Sequence, residues 1–205
     1  KGIIMSPPNL PGWDDVHITE HFEEKFHVPC HLNNDANACA YAEYKYGAGR
    51  ESQNMIFLTF GTGLGAGIIL DGKLYSGTND NAGEIGHIRL AENGPIGYGK
   101  AGSAEGFCSG GGLAQIGKIK ATESLQMGKN VSYCKSYAEL ENVDAKIIAD
   151  FADKGFEDAM EVYRICGEKL GYTLSILIDI LNPDKIVIGS IFQRSENLLR
   201  ESMEK

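Results

Sequence analysis

Four short clusters contain residue types able to do chemistry. The first is Asn33-Asn34-Asp35-Ala36-Asn37, which opens an alanine-rich stretch. A strand before it and a helix after it would deliver the Asp35 carboxylate to a helix mouth, a favourable place for negative charge. An ionised Asp there can accept the proton of a substrate hydroxyl as that hydroxyl attacks a phosphoryl group. The same residue also serves as a plain helix N-cap, and the residues alone leave both readings open.

The second cluster is Gly61-Thr62-Gly63-Leu64-Gly65-Ala66-Gly67. Gly61, Gly63 and Ala66 fit the dinucleotide fingerprint G-x-G-x-x-A, but that motif needs a helix next and an apolar strand pattern follows here. No G-K-[ST] occurs, so it is not a Walker A loop. A glycine and threonine turn between strands can still expose N–H groups and a hydroxyl to a phosphate. The competing reading is a tight hairpin with bulges.

The third is Gly83-Glu84-Ile85-Gly86-His87, with Glu105 further on. Two carboxylates and an imidazole can fork onto sugar hydroxyls, each of which both donates and accepts. His87 equally suits a metal or a satisfied place in a core. The fourth, His17-Ile18-Thr19-Glu20-His21, matches the H-x-x-E-H zinc pattern. It is short and isolated, and a solvated helical face is its default reading.

Elements must hold these residues in place. Residues 1–13 are rich in Pro and Gly and read as a loop or linker. Asp14 and Asp15 open a helix predicted through Phe26, and residues 28–32 are predicted as a short strand. Residues 35–46 read as a helix with Asn34 or Asp35 near its N-cap. The continuous apolar run at 54–60 predicts a buried strand. A second strand is predicted over 66–70, with Asp71-Gly72 as a hairpin signal and 73–75 as the return. Residues 76–112 read as loop-rich. Helices are predicted over 112–126, 136–153 and 156–181. In the last, Val162, Cys166, Leu170, Leu174 and Leu177 keep helical spacing, and its second half is apolar almost all round, as in a core helix. Asn182-Pro183-Asp184 stops it, 185–188 is a strand, and Gly189-Ser190 is a turn beyond its end. Strands mixed with long helices predict an α/β domain.

Composition bounds the partners. The chain has 205 residues, 42% hydrophobic and 23% charged, enough for one sizeable core or two small ones. Its net charge of −9 repels nucleic-acid phosphates, so this segment is not expected to bind DNA. A nucleotide can still be held by local N–H groups and bound cations. Five cysteines without a C-x-x-C pair read as reduced thiols of a cytosolic protein. There is no apolar run of membrane-spanning length and no signal-peptide pattern at the start.

In this order the motifs resemble the ROK family (repressors, open reading frames, kinases). The resemblance rests on Asn34-Asp35-Ala36-Asn37, on Phe60 through Gly67, on Gly83 through His87, and on Glu105. Asn182-Pro183 with Ile186-Val187-Ile188-Gly189 is similar to the family's stretch near the adenosine, and Asn9-Leu10-Pro11-Gly12-Trp13 to its interdomain segment. The resemblance implies the actin-like ATPase (ribonuclease H-like) fold, two α/β domains with the active site in the cleft. Residues 1–33 would be the tail of the small domain and the interdomain segment. Residues 34–205 would be most of the large sugar- and ATP-binding domain, incomplete at its C-terminus. Asp35 would be the base facing the sugar's primary hydroxyl, and Asn34 would hold a neighbouring hydroxyl. Gly61, Thr62 and Gly63 would contact ATP phosphates. Glu84, His87 and Glu105 would clasp hydroxyls at the other end of the ring, and Gly189 and Ser190 would lie near the adenosine. The implied reaction is transfer of the ATP γ-phosphoryl group to a hexose hydroxyl, at C6 of glucose or a close relative, with Mg²⁺ bridging the phosphates. A cytoplasmic dimer or tetramer is implied, with no membrane partner.

Three departures from the family pattern shape the expectations. The zinc motif C-x-C-G-x-x-G-C is replaced, with Ile96, Tyr98 and Ser103 at its cysteine positions, so no structural zinc is expected. Packing around Tyr98 and Phe107 is expected to order that loop instead. The N-terminal phosphate loop Asp-x-Gly-Gly-Thr is absent, and Gly110-Gly111-Gly112 lacks the Asp and stands in the wrong place. The chain is therefore expected to lack most of the small domain and to turn over little alone. The glycine run near the adenosine reads Gly189-Ser190-Ile191, whose bulk would crowd the nucleotide. The rival reading is a sugar-sensing transcriptional regulator whose helix-turn-helix lies outside this chain. Retention of Asp35 with the Gly61–Gly65 turn favours the kinase.

Overall fold

The computed structural model describes residues 2–5, 7 and 10–205. Asn9 lies outside the described residues. Strand β1, Met55–Phe60, is apolar along its whole length apart from Thr59, and alternate side chains of a strand face opposite sides. Ile56, Leu58 and Phe60 enter the main core, while Met55 and Phe57 meet Ala40 and Ile69 on the other face. Both faces must therefore be covered, and the result is a layered α/β domain. This layering is the mixed α/β class that the element pattern predicts.

Strand β2, Leu64–Leu70, pairs antiparallel with β1, and β3, Lys73–Tyr75, pairs antiparallel with β2. A small separate hairpin is formed by β4, Ile96–Gly97, and β5, Lys100–Ala101. Strand β6, Lys185–Ser190, lies parallel to β1, giving the sheet order β3-β2-β1-β6. The start of this parallel pair is pinned by Asp184, whose Oδ2 accepts the Gln53 and Asn54 amides at 2.8 Å each.

Helix α1, Ile18–Phe26, buries none of its residues. Helix α2, Asp35–Tyr46, covers the Met55 face of the sheet. It sits directly on β2, because a Cβ at Gly67 would lie 2.4 Å from the Ala40 Cβ and 2.5 Å from the Ala36 carbonyl oxygen. The opposite face carries the short α3, Ala104–Phe107, then α4, Gly110–Gln126, α5, Ala145–Ala152, and α6, Glu157–Leu181. Val162, Tyr163, Cys166, Leu170 and Leu177 of α6 are buried, and the Tyr163 hydroxyl donates to the Ala145 carbonyl at 2.9 Å. Helices α7, Ile191–Arg194, and α8, Glu196–Met203, complete the domain, with Leu199 in the core. Among the described residues, no helix is long and apolar enough to cross a membrane.

Several expectations are corrected. Residues 28–32 form no strand. Pro29 has no N–H, the Cys30 amide donates to the Glu23 side chain, and no sheet strand lies alongside. Asp14 and Asp15 lie in a turn ahead of α1, Asp15 at φ 55. The helix expected over 136–153 is two pieces. A 3₁₀ segment, Tyr137–Asn142, ends before Asp144, whose side chain caps α5 through the Ile147 amide at 2.7 Å. The stretch 76–112 contains a 3₁₀ turn, Ile85–His87, as well as the β4–β5 hairpin and α3. Gly189 and Ser190 belong to β6 and are not a turn beyond it. The second half of α6 is not apolar core all round, since Tyr172, Ile178 and Ile180 are exposed.

Candidate active site

The turn Gly61-Thr62-Gly63 joins β1 to β2, and the N-terminus of α4 holds it. The Gly110 amide donates to the Gly61 carbonyl at 2.8 Å, and the Gly111 amide reaches the Thr62 carbonyl at 3.5 Å. The third amide of the helix, Gly112, is taken by the Ser109 side chain at 2.9 Å. Two of the open donors of this helix start are thus spent on the turn. In a trans peptide the C=O and the following N–H point opposite ways. Drawing the carbonyls of Gly61 and Thr62 onto α4 therefore turns the amides of Thr62 and Gly63 outward. Among the described residues, neither of these two amides donates to another protein group. Two adjacent outward N–H groups and the exposed Thr62 hydroxyl make an anion cradle.

Asn34, not Asp35, is the N-cap of α2: its side chain accepts the Asn37 amide at 3.2 Å. Asp35 is exposed and is the first helical residue. One of its oxygens accepts the Ala36 amide at 2.8 Å, which leaves the other for a ligand. The capping duty that competed with chemistry at position 35 falls on its neighbour. Ala36 lies 3.8 Å from where a Gly65 Cβ would stand. Gly65 is two residues past Gly63, roughly 7 Å along a strand. Asp35 and the cradle therefore lie toward the same end of β2.

The third motif packs on the same segment. The Ala66 amide donates to the Gly83 carbonyl at 2.9 Å, which sets the turn at 83–87 beside β2. A Glu105 carboxylate oxygen accepts the Leu64 amide at 3.1 Å. Gly86 packs against Glu105, with 3.1 Å between its would-be Cβ and that of Glu105. His87 Nε2 lies 3.7 Å from Glu84 Oε2, and its ring stacks on Tyr98 with centroids 4.2 Å apart. Glu84, His87 and Glu105 thus converge on the start of β2. Glu105 stands closer to the cradle than a clasp on the far end of a sugar implies.

The positions of the family's zinc cysteines do not fit a metal. Ile96 has no donor atom, and the buried Ser103 hydroxyl is engaged with the Gly97 carbonyl at 3.2 Å and the Gly106 amide at 3.1 Å. Among the described residues, no group of three or more His, Cys, Asp or Glu side chains is placed to hold a metal ion. His17 of the H-x-x-E-H pattern instead approaches Glu20 at 3.1 Å and Asp15 at 3.7 Å on an exposed surface.

Ser190 ends β6 beside the cradle, its Oγ 3.7 Å from where a Gly61 Cβ would stand. Its φ of 64 and ψ of −115 are unusual for a residue with a side chain. Sequence reasoning missed Ser109, whose side chain caps α4, and the roles of Gly110 and Gly111, whose amides hold the turn. A serine ahead of an apolar helical pattern is an N-cap signal that would have found them.

The solved structures similar to the chain show that its fold is the actin-like ATPase fold. The family model described as "ROK family" matches residues 1–205. A glucokinase of Halalkalibacterium halodurans is 35% identical over 202 residues, covering 97% of this chain and 60% of that protein. The DNA-binding transcriptional dual regulator NagC of Escherichia coli is 32% identical over 191 residues, covering 91% of this chain and 44% of that protein. The crystal structure of a ROK family glucokinase from Streptomyces griseus in complex with glucose and AMPPNP superposes with a TM-score of 0.79 at 27% identity, over 99% of this chain and 65% of that one. The chain thus spans less than two thirds of the length of these relatives.

Proposed function

The chain belongs to the ROK family, and from that premise we propose that it supplies the sugar- and ATP-binding domain of a hexose kinase. The carrying observation is the pairing toward one end of β2: two outward amides of the Gly61–Gly63 turn and the Asp35 carboxylate with one oxygen uncommitted. Similarity to glucokinases supports the reading, with glucose or a close relative phosphorylated at C6.

In this reading Asp35 takes the proton of the sugar hydroxyl as it attacks. The Asn34 amide group, its oxygen already used in the cap, offers its NH₂ to a neighbouring hydroxyl. Glu84, His87 and the second oxygen of Glu105 hold further hydroxyls. The amides of Thr62 and Gly63 orient the transferring phosphate, and Gly189 and Ser190 lie at the nucleotide. The cradle's donor set fits a phosphate, and bound Mg²⁺ would neutralise charge on the phosphates. Catalysis of this kind is mostly positioning. Zinc has no part in the proposal, given the donor set at Ile96 and Ser103. The proposal includes a small-domain tail over 1–33, a large domain from 34, a cytoplasmic setting and a homo-oligomer.

The test is ATP-dependent phosphorylation of a hexose panel by the intact protein. Asp35→Ala should lower kcat by about 10²–10⁴ while sugar binding persists. A normal rate in that variant would remove Asp35 from the mechanism. A regulator is the second reading, favoured by the similarity to NagC. A helix-turn-helix encoded upstream, with no turnover of any hexose, would establish it.

A further inference from the structure

We propose that Tyr98 is a positioning residue: its ring fixes the plane of the His87 imidazole at the sugar end of the site. The inference rests on the kinase reading for its functional consequence and on geometry alone for the stack.

The two rings lie 4.2 Å apart between centroids and 26° from parallel. Tyr98 and Gly99 form the two-residue loop of the β4–β5 hairpin, with φ of 48 and 71. Positive φ at both central positions is the type I′ geometry, where Asn or Gly is favoured and a bulky aromatic is an outlier. A strained residue persists when its surroundings over-determine it, and such residues gather at functional sites. Tyr98 is 62% exposed, so core packing does not explain its place. Among the described residues, the aromatic ring it stacks on is His87.

The hairpin is braced so that the ring cannot drift. The Gln115 side chain makes two hydrogen bonds to the Ile96 main chain, both at 2.8 Å. The Ser103 hydroxyl donates to the Gly97 carbonyl, and Lys100 Nζ donates to the His87 carbonyl at 2.7 Å. The last contact ties the hairpin to His87 itself. An imidazole free to turn about its last side-chain torsion spreads its nitrogens over many directions. Stacked on a braced ring it keeps one plane, so its nitrogens meet a sugar hydroxyl already aligned.

The test uses the intact protein with Tyr98→Ala, Tyr98→Phe, His87→Ala and the double variant Tyr98→Ala/His87→Ala. Tyr98→Ala should raise the sugar KM by roughly 2- to 10-fold with kcat little changed. Tyr98→Phe should restore the wild-type KM, because it keeps the ring. The double variant should be no worse than His87→Ala, since Tyr98 acts through the imidazole. Independently of turnover, the imidazole proton resonances of His87 should be displaced by the tyrosine ring current, lose that displacement in Tyr98→Ala and keep it in Tyr98→Phe. Unchanged imidazole resonances in Tyr98→Ala would overturn the stack, and additive effects in the double variant would overturn positioning. Should the wild type phosphorylate no hexose, the kinase reading fails and the imidazole resonances alone decide the stack.

Discussion

Gly63 lies directly under the Glu105 carboxylate, and a Cβ there would come within 2.6 Å of Glu105 Oε2. The two residues are 42 positions apart in sequence, and this contact joins the cradle to the carboxylates proposed to face the sugar.

Gly63→Ala should therefore act on Glu105 before it acts on the fold. The obstructed atom is the end of a flexible side chain, so Glu105 can swing away and leave the Leu64 amide. A displaced Glu105 would give up its proposed hydrogen bond to the sugar, worth about 1.5–3 kcal/mol for a charged group, so sugar KM should rise about tenfold or more. Thermal unfolding should move by only a few degrees. Steady-state kinetics and a melting curve on the same sample check both halves.

Gly67→Ala should damage stability instead. Its Cβ would press on the Ala36 carbonyl and the Ala40 Cβ, and main chain cannot step aside as a side chain can. Helix α2 must lift off β2, at a cost of about 1–3 kcal/mol. Urea unfolding should show a lower midpoint with an unchanged slope. Turnover should fall further than stability accounts for, because Asp35 rides on the displaced helix.

Asp184 predicts an acid limb in the stability profile. The amides of Asn54 and Gln53 hold its carboxyl below the ordinary Asp value. The folded state thus prefers the ionised form. The stabilisation is present above the unfolded value of about 4 and is lost as pH falls through the lower folded value. Asp184→Asn should be less stable at neutral pH and should lose less of its stability below pH ~4. Denaturant titrations across that range measure the difference.

Ser190→Gly should stabilise the protein. The native φ of 64 with ψ of −115 costs a side-chain-bearing residue of order 1–3 kcal/mol, and glycine adopts it freely. After the extra chain entropy of glycine, a net gain of about 1 kcal/mol is expected in urea unfolding. If Ser190 crowds the nucleotide, the ATP KM should fall in the same variant.

Local patterns carried much of this architecture. The run at Met55–Phe60, the Asp71-Gly72 hairpin and the spacing of Val162, Cys166 and Leu170 are signals that neighbours in sequence supply. What they cannot supply is a partner. Residues 28–32 look like a strand, but a strand without a ladder is only extended chain. Ile178 and Ile180 look like core, yet exposure depends on what the rest of the fold lays against them. The site divides in the same way. Asn34, Asp35, Glu84, His87 and Glu105 could be singled out by type and order. The setting of Glu105 over Gly63, and the use of Gly110 and Gly111, depends on distant segments meeting. The glycines at 110–112 lack the acidic neighbour of a phosphate loop, yet the amides of Gly110 and Gly111 hold the turn.

The link between the turn and α4 consists of main-chain atoms only, Gly110 amide to Gly61 carbonyl. Amino-acid replacements that leave the backbone path intact cannot cut it, because every residue except proline brings the same amide. Mutational drift can thus rewrite the side chains proposed to face the sugar while the main-chain turn proposed to seat the phosphate stays as it was. New specificities, or a loss of turnover with recognition kept, become accessible on one scaffold without rebuilding it.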